Sequence, residues 1–248
     1  MKKTADRLAK QLKDYARKAG LKKTVIGLSG GVDSAVCAGL AAKALGKKNV
    51  HALLMPELKL TDPENIKHAV ELCHKLGINY SVVAINTFVE PFDEIAWEQS
   101  SAAKMNTKAR ARMSILYNFA NSHGCLVIGT SNKSERLLGY GTKHGDLAAD
   151  IEVIGGLFKT DVVKLAEHLK IPEKIISKPP SAELAHGQTD ENELGAPYFL
   201  LDQILVDLDK KATKARLLKK YDKKVVEDVL RRVESSAHKM MPVPMLRP

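Results

Sequence analysis

The sequence predicts an α/β protein: a parallel sheet with helices on both faces, followed by a helical C-terminal extension. Two observations carry this. Short, continuous apolar runs, TVIGLS (24–29), NVHALLM (49–55), INYSVVAI (78–85) and CLVIGT (125–130), alternate with segments of helical periodicity. Strands apolar on both faces belong to parallel sheets covered by helices on either side. Two of the runs also end in polar turns, SGG (29–31) and TSNKSE (130–135). Both turns fall at the carboxyl edge of their strands, where such sheets bind ligands.

The elements follow in order. Residues 4–19 place Leu8, Leu12, Tyr15 and Ala16 on one helical face. After the first strand, Asp33 to Leu45 reads as an Ala-rich helix. Residues 61–77 form a well-signalled helix, with Thr61 or Asp62 as N-cap, Pro63 in the first turn and Gly77 as the stop. Residues 87–97 read as helical or irregular. Residues 104–122 form a long basic helix that also carries Met113, Ile115, Leu116, Tyr117 and Phe119. That is more apolar surface than a one-sided helix needs. Residues 137–160 are rich in glycine and poor in periodic apolar positions, the mark of functional loops. A helix is expected over 159–176, a proline- and acid-marked loop over 178–195, and helix again over 197–236. We expect residues 1–205 to form the nucleotide-binding domain and 206–248 its helical extension.

Composition sets bounds. Of 248 residues, 44% are hydrophobic and 27% charged, which is globular usage. No apolar run approaches the roughly 18 residues of a membrane span. The first twenty residues carry charge at nearly every turn, unlike an ordinary signal peptide. Cys37, Cys73 and Cys125 lie far apart, without a paired metal or redox motif. They read as buried free thiols in a cytoplasmic protein. The net charge of +10 asks for a counter-charge. From Asp207 to Met240 there are 11 Lys or Arg against 6 Asp or Glu, which reads as a solvated helical face. Aromatics are only 5%, which argues against a base-stacking platform and a nucleic-acid partner.

The turn after the first strand carries the chemistry. A helix N-terminus offers unpaired N–H groups and partial positive charge. Gly30 and Gly31 let those groups converge, and Ser29 and Ser34 add hydroxyls. This is a phosphate cradle, though neither a Walker loop nor G-x-G-x-x-G. Asp33 beside phosphates would be repelled unless a cation lay between them. It therefore points to Mg²⁺.

SGGVDS (29–34) after a strand resembles the PP-loop of the ATP pyrophosphatase superfamily. Other stretches occur in order behind it: NTKARARM (106–113), GTSNKSERLLGYGTKHGDLAAD (129–150), LFKTDV (157–162), KPPSAEL (178–184), DENELG (190–195) and HKMMP (238–242). The set resembles ammonia-dependent NAD⁺ synthetases over nearly the whole chain. The resemblance implies a Rossmann-like, adenine nucleotide α-hydrolase-like fold and a homodimer.

It also implies roles. ATP would contact Gly27 and Leu28, the turn Ser29-Gly30-Gly31, then Val32, Asp33 and Ser34, and further on Thr130, Lys159 and Ser181. Glu135 would join Asp33 on Mg²⁺. Deamido-NAD⁺ would meet Arg110, Lys143, Asp150, His238 and Lys239. Asp33, Lys159 and Asp146 would be catalytic, with Asp146 handling ammonia. Where the family often has Thr this chain has Ser181, and where it has Arg after the HK pair this chain has Met240. The implied reaction joins the nicotinate carboxylate to AMP, releases pyrophosphate, and lets ammonia displace AMP. The glycine turn begins at residue 29, so no glutaminase domain is expected ahead of it; free ammonia or a separate partner would supply nitrogen. The residues alone leave two rivals open: a tRNA-modifying ATP pyrophosphatase and a non-catalytic nucleotide sensor.

Overall fold

The computed structural model describes residues 1–185 and 187–246. Strands β1 (Lys23–Gly27), β2 (Val50–Leu54), β3 (Asn79–Val82), β4 (Cys125–Gly129) and β5 (Ile151–Glu152) form one parallel sheet in the order β3-β2-β1-β4-β5. The chain builds outward from β1 through β3, then returns to the other side of β1. The order therefore reverses between β1 and β4, leaving a crevice at their carboxyl ends.

The helices are α1 (Lys2–Lys18), α2 (Val32–Leu45), α3 (Pro63–Leu76), α4 (Asn86–Val89), α5 (Ser101–His123) and α6 (Lys133–Leu138). They continue with α7 (Lys159–His168), α8 (Glu173–Ile176), α9 (Asp190–Leu194), α10 (Tyr198–Asp209), α11 (Lys214–Leu218) and α12 (Lys223–Ser236). The period-2 geometry of a strand sends neighbouring side chains to opposite faces. Ile26, Ala52, Leu54 and Ile128 join the core shared with α1, α2, α3 and α7. Val25, Leu53 and Val127 point the other way, into a core with Ile115 and Ala120 of α5. Helix α2 is buried almost all round because the sheet, α1 and α7 enclose it. A third core joins Leu138 of α6 to Leu201, Ile204 and Leu205 of α10, Leu217 of α11 and Val226 and Val229 of α12. It spans positions 205 and 206, which both lie within α10.

Four expected strands are present, and Asp62 caps α3 by accepting from the Glu64 N–H at 2.9 Å. Helix α5 begins earlier than expected because Ser100 caps it, accepting from Ala103 N–H at 3.2 Å. The helix expected over 159–176 is broken after His168. Lys170 takes φ +57° and Pro172 follows, so the helix cannot continue. The loop expected over 137–160 contains β5, and the one over 178–195 contains α9. All three cysteines are buried and free. The apolar side of α5 is absorbed within the chain: Ile115, Leu116, Tyr117 and Phe119 pack on the second core, and Met113 lines a cavity. Among the described residues no helix is long and apolar enough to cross a membrane.

Candidate active site

The turn from β1 into α2 is shaped by one constraint. Gly30 has φ +82°, and a Cβ there would sit 2.6 Å from the backbone oxygen of Asn65 in α3. Only glycine satisfies both the left-handed backbone and this approach. Gly31 caps α2 without a side-chain hydrogen bond, so the first-turn N–H groups stay open toward the crevice. The Ser29 and Ser34 hydroxyls lie 3.2 Å apart, and Ser34 donates to the Gly31 carbonyl at 3.0 Å.

Across the crevice, the turn after β4 is built on Asn132. This buried side chain caps α6, accepting from Glu135 N–H at 3.0 Å. Its backbone N–H donates to Glu135 Oε2 at 3.2 Å, completing a capping box that fixes the glutamate. Its Nδ2 donates to Asp33 Oδ1 at 2.9 Å and so ties the two turns together.

Lys159 opens α7, and its side chain runs into the crevice with only 4% exposed. Its Nζ pairs with Asp33 and stands 3.6 Å from Glu135 Oε1. Burial alone would lower the lysine's pKa, but Asp33 and Glu135 outweigh it and hold the ammonium above its usual range. Burial, followed by the charge of Asp33, pushes Glu135 well above the carboxylate range; Lys159 opposes this. Asp190 is also raised, first by burial, against the pull of Lys159.

Two carboxylates, from the turns that follow the neighbouring strands β1 and β4, thus converge on one cationic point. Among the described residues no group of three or more His, Cys, Asp or Glu side chains is arranged to hold a metal. An ion here would draw two oxygens from Asp33 and Glu135 and the rest from phosphates and water. Mg²⁺ takes such a hard, incomplete protein shell, so the donor set fits it.

Two cavities meet at this point. One of about 250 Å³ is walled by Leu28, Leu54, Met55, Leu116 and Ile128. The other, about 160 Å³, is walled by Gly31, Asp33, Ser34, Glu135, Lys159 and Asp190. They share Ser29, Thr130, Asp146 and Ser181. The apolar one suits a nucleoside and the charged one its phosphates. The Ser181 hydroxyl donates to Gln188 O at 2.6 Å and accepts from Glu183 N–H at 3.1 Å, so it also holds its own loop. Asp146 accepts from Thr142 N–H at 2.8 Å. Surrounding protein raises its pKa, yet its side chain opens to the cleft.

The remaining expected residues divide. Arg110 is exposed on α5, with its guanidinium 3.4 Å from the Lys143 carbonyl; neither residue lines either of these two cavities. Lys239 donates to Gly139 O and Gly141 O at 2.7 and 2.9 Å, and its charge acts on Asp146. His238 is exposed. Asp150 lies outside both cavities. Its carboxylate accepts from Val127 N–H at 2.8 Å and from the Tyr117 hydroxyl at 3.2 Å, which splices the loop onto β4.

Three residues at the site were not expected. Arg112 is half-buried, donates to Met55 O at 3.0 Å and lines the apolar cavity. Asn132 and Asp190 are the others. Only Asn132 had a readable signal, an N-cap residue three before Glu135.

Glu152 lies at the end of β5 behind this wall. Its carboxylate oxygens are buried without a well-formed hydrogen bond, and Arg136 is 3.5 Å away. Burial raises its pKa to about 7, with Arg136 opposing. The folded state thus favours the protonated acid. This contribution is complete below the usual carboxylate pKa of about 4.5 and is lost as pH rises through about 7. Glu152→Gln should therefore gain stability relative to the parent as pH rises from 5 to 8, by about 2 kcal/mol. Melting curves of both proteins across that range check it. A gap that does not widen with pH contradicts it.

A glycine turn at a helix N-terminus and a carboxylate pair, facing each other across a strand-order reversal, fit the class of α/β enzymes that handle phosphorylated ligands. Comparison narrows the class. The NAD synthase family is matched over residues 4–243, and the chain belongs to that family. It is 48% identical over 209 residues to an NH(3)-dependent NAD(+) synthetase of Methanocaldococcus jannaschii, covering 83% of this chain and 80% of that protein. It resembles the structure of an NMN synthetase from Francisella tularensis, with TM-score 0.88 and 34% identity over 100% of this chain and 98% of the other. It also resembles an NH3-dependent NAD synthetase from Campylobacter jejuni in complex with nitrate, with TM-score 0.85 and 32% identity over 99% and 98% of the chains. The activity is the ATP-dependent amidation of deamido-NAD⁺ to NAD⁺ with ammonia. The two rivals left open by the residues, tRNA modification and a silent sensor, fall away.

Proposed function

We propose that the crevice runs this amidation through an acyl-adenylate, with the following division of labour. The observation that carries the reading is Lys159, buried between Asp33 and Glu135 in the charged cavity. The nicotinate carboxylate attacks the α-phosphorus of ATP, and the bond to the bridging oxygen breaks. Ser29, Ser34 and the N–H groups at the start of α2 receive the pyrophosphate, whose charge grows as it leaves. Asp33 and Glu135 would hold Mg²⁺, which supplies positive charge to the phosphates when bound. Lys159 adds a further cation on the same side. Gly27, Leu28, Val32, Thr130 and Ser181 shape the nucleotide's seat between the cavities.

Ammonia then attacks the acyl carbon and AMP leaves. Asp146, where the cavities meet, is placed to hold ammonium and to take a proton as the C–N bond forms. Arg110, Lys143, Lys239 and His238 would meet the dinucleotide, whose pyrophosphate suits their positive charge. Asp150 serves the substrate by fixing the loop that carries Lys143 and Asp146. Residues 206–248 are an extension of the same domain that closes the third core. Three free cysteines accord with a cytoplasmic setting.

Arg110→Ala tests the substrate assignment. Losing a charge-assisted contact raises KM for deamido-NAD⁺ about tenfold while KM for ATP stays within about twofold. Replacing Lys219 with Lys220, or Lys223 with Lys224, by Gln changes turnover little, since exposed charges contribute little. An unchanged KM in Arg110→Ala, with turnover lost in the lysine variants, would refute the assignment. A symmetric homodimer is supported by Phe88, Phe92 and Trp97, exposed on the segment leading into α5. The mass of the active species in solution should be twice that of the chain; an active monomer sinks the dimer.

A further inference from the structure

One acidic side chain in the charged cavity has no part in the scheme above. Asp190 is 4% exposed. Its Oδ2 accepts from the Tyr198 hydroxyl at 3.1 Å. Its Oδ1 is buried without a well-formed hydrogen bond, since the neighbouring Tyr140 hydroxyl, which also acts on the carboxylate, donates to Glu193 Oε2 at 2.8 Å. An unpaired carboxylate oxygen in the interior is expensive, and its retention calls for a use. Its surroundings point to one. Lys159 Nζ lies 5.2 Å from the centroid of the Tyr198 ring, and that ring's hydroxyl is the one bound to Asp190. Tyr198 is itself fixed, its backbone N–H donating to Glu191 Oε1 at 2.9 Å. Asp190 in turn ties down the loop that walls both cavities, donating its N–H to Pro180 O at 2.9 Å. Three carboxylates thus face one ammonium, and the ammonium is paired with two of them.

We infer that Asp190 is a positioning residue that receives the Lys159 ammonium when a metal–nucleotide takes over Asp33 and Glu135. The inference rests on the reading of those two carboxylates as the metal's ligands. Two cations cannot share the point where Asp33 and Glu135 converge. Lys159 must leave it, and a buried ammonium without an anion carries a heavy desolvation penalty. The face of Tyr198 offers an intermediate seat for the cation, and Asp190 Oδ1 offers the terminus. From there the lysine still faces the cavity in which the phosphates lie. The motif DENELG thereby gains a purpose: Asp190 takes the lysine, and Glu191 holds the tyrosine between them.

The test is a double-mutant cycle read by calorimetric binding of a non-hydrolysable ATP analogue, with and without Mg²⁺. Asp190→Asn should weaken Mg²⁺-dependent binding about tenfold and change metal-free binding less than about twofold. In a Lys159→Met background the same substitution should change neither by more than about twofold. Equal weakening in both backgrounds would mean that Asp190 merely supports the fold, and overturns the proposal. No weakening in the parent background also overturns it. Should Asp190→Asn fail to fold, Tyr198→Phe, which removes the hydroxyl that fixes Asp190, takes its place with the same readings. Asp33→Asn, measured alongside, separates the two levels. An undiminished Mg²⁺ effect there would remove the metal-ligand reading itself, whatever Asp190 does.

Discussion

Lys159→Met is expected to lose turnover on the order of 10³-fold and to melt well below the parent protein. Both effects come from one charge. The ammonium is the only cation paired with Asp33 and Glu135 among the described residues, and its side chain is 5% exposed. Removing it leaves two part-buried acid groups without their cation, at a cost of about 3 kcal/mol. For a chain of this size that lowers Tm by roughly 6–12 °C. Mg²⁺ with an ATP analogue should restore more stability to the variant than to the parent, because a dication can sit where the ammonium was. Thermal melts with and without Mg²⁺ and analogue check this. An unchanged Tm, or a variant insensitive to Mg²⁺, contradicts the assigned geometry.

Asp33→Asn should behave differently. Its shape is kept, Asn132 retains an acceptor for its Nδ2, and Lys159 retains Glu135. The fold therefore stays within a few degrees of the parent. Turnover nevertheless falls on the order of 10²–10³-fold, as when a group stabilising developing charge is removed. On the proposal that Asp33 holds the ion, the Mg²⁺ concentration for half-maximal rate should rise at least about tenfold. Initial rates across a Mg²⁺ series give both numbers. Near-normal turnover at limiting Mg²⁺ would show that Asp33 does not hold the ion. Taken together, the two variants separate an electrostatic support from a ligand.

What the sequence revealed depended on how local each signal was. The cradle could be read because Gly30, Gly31 and Ser34 act within one turn, and α3 because Asp62, Pro63 and Gly77 mark both its ends. The break after His168 was also marked, by Pro172, but the apolar spacing of Ile171, Ile175 and Ile176 masked it. Strand β5 has only two residues, too few to show any period. Nothing in the sequence separates Arg112 from the other basic residues of its helix; only its contact with Met55, 57 positions away, marks it as part of the cavity wall. Asp150 shows the reverse case. A family motif marks the position, while the bonds that occupy its carboxylate come from β4 and α5, far along the chain. Asp190 was hidden because its partner Tyr198 comes from the next helix and Lys159 from an earlier one.

The proposed crevice chemistry activates the carboxylate of deamido-NAD⁺ with AMP and amidates it with ammonia. The direct measurement mixes the protein with ATP, Mg²⁺, ammonium and deamido-NAD⁺, beside a parallel reaction on the corresponding mononucleotide acid, and separates the products. NAD⁺, AMP and pyrophosphate should appear in equal amounts, with deamido-NAD⁺ the preferred acid. ADP and phosphate as the nucleotide products, or amidation of the mononucleotide alone, would contradict it.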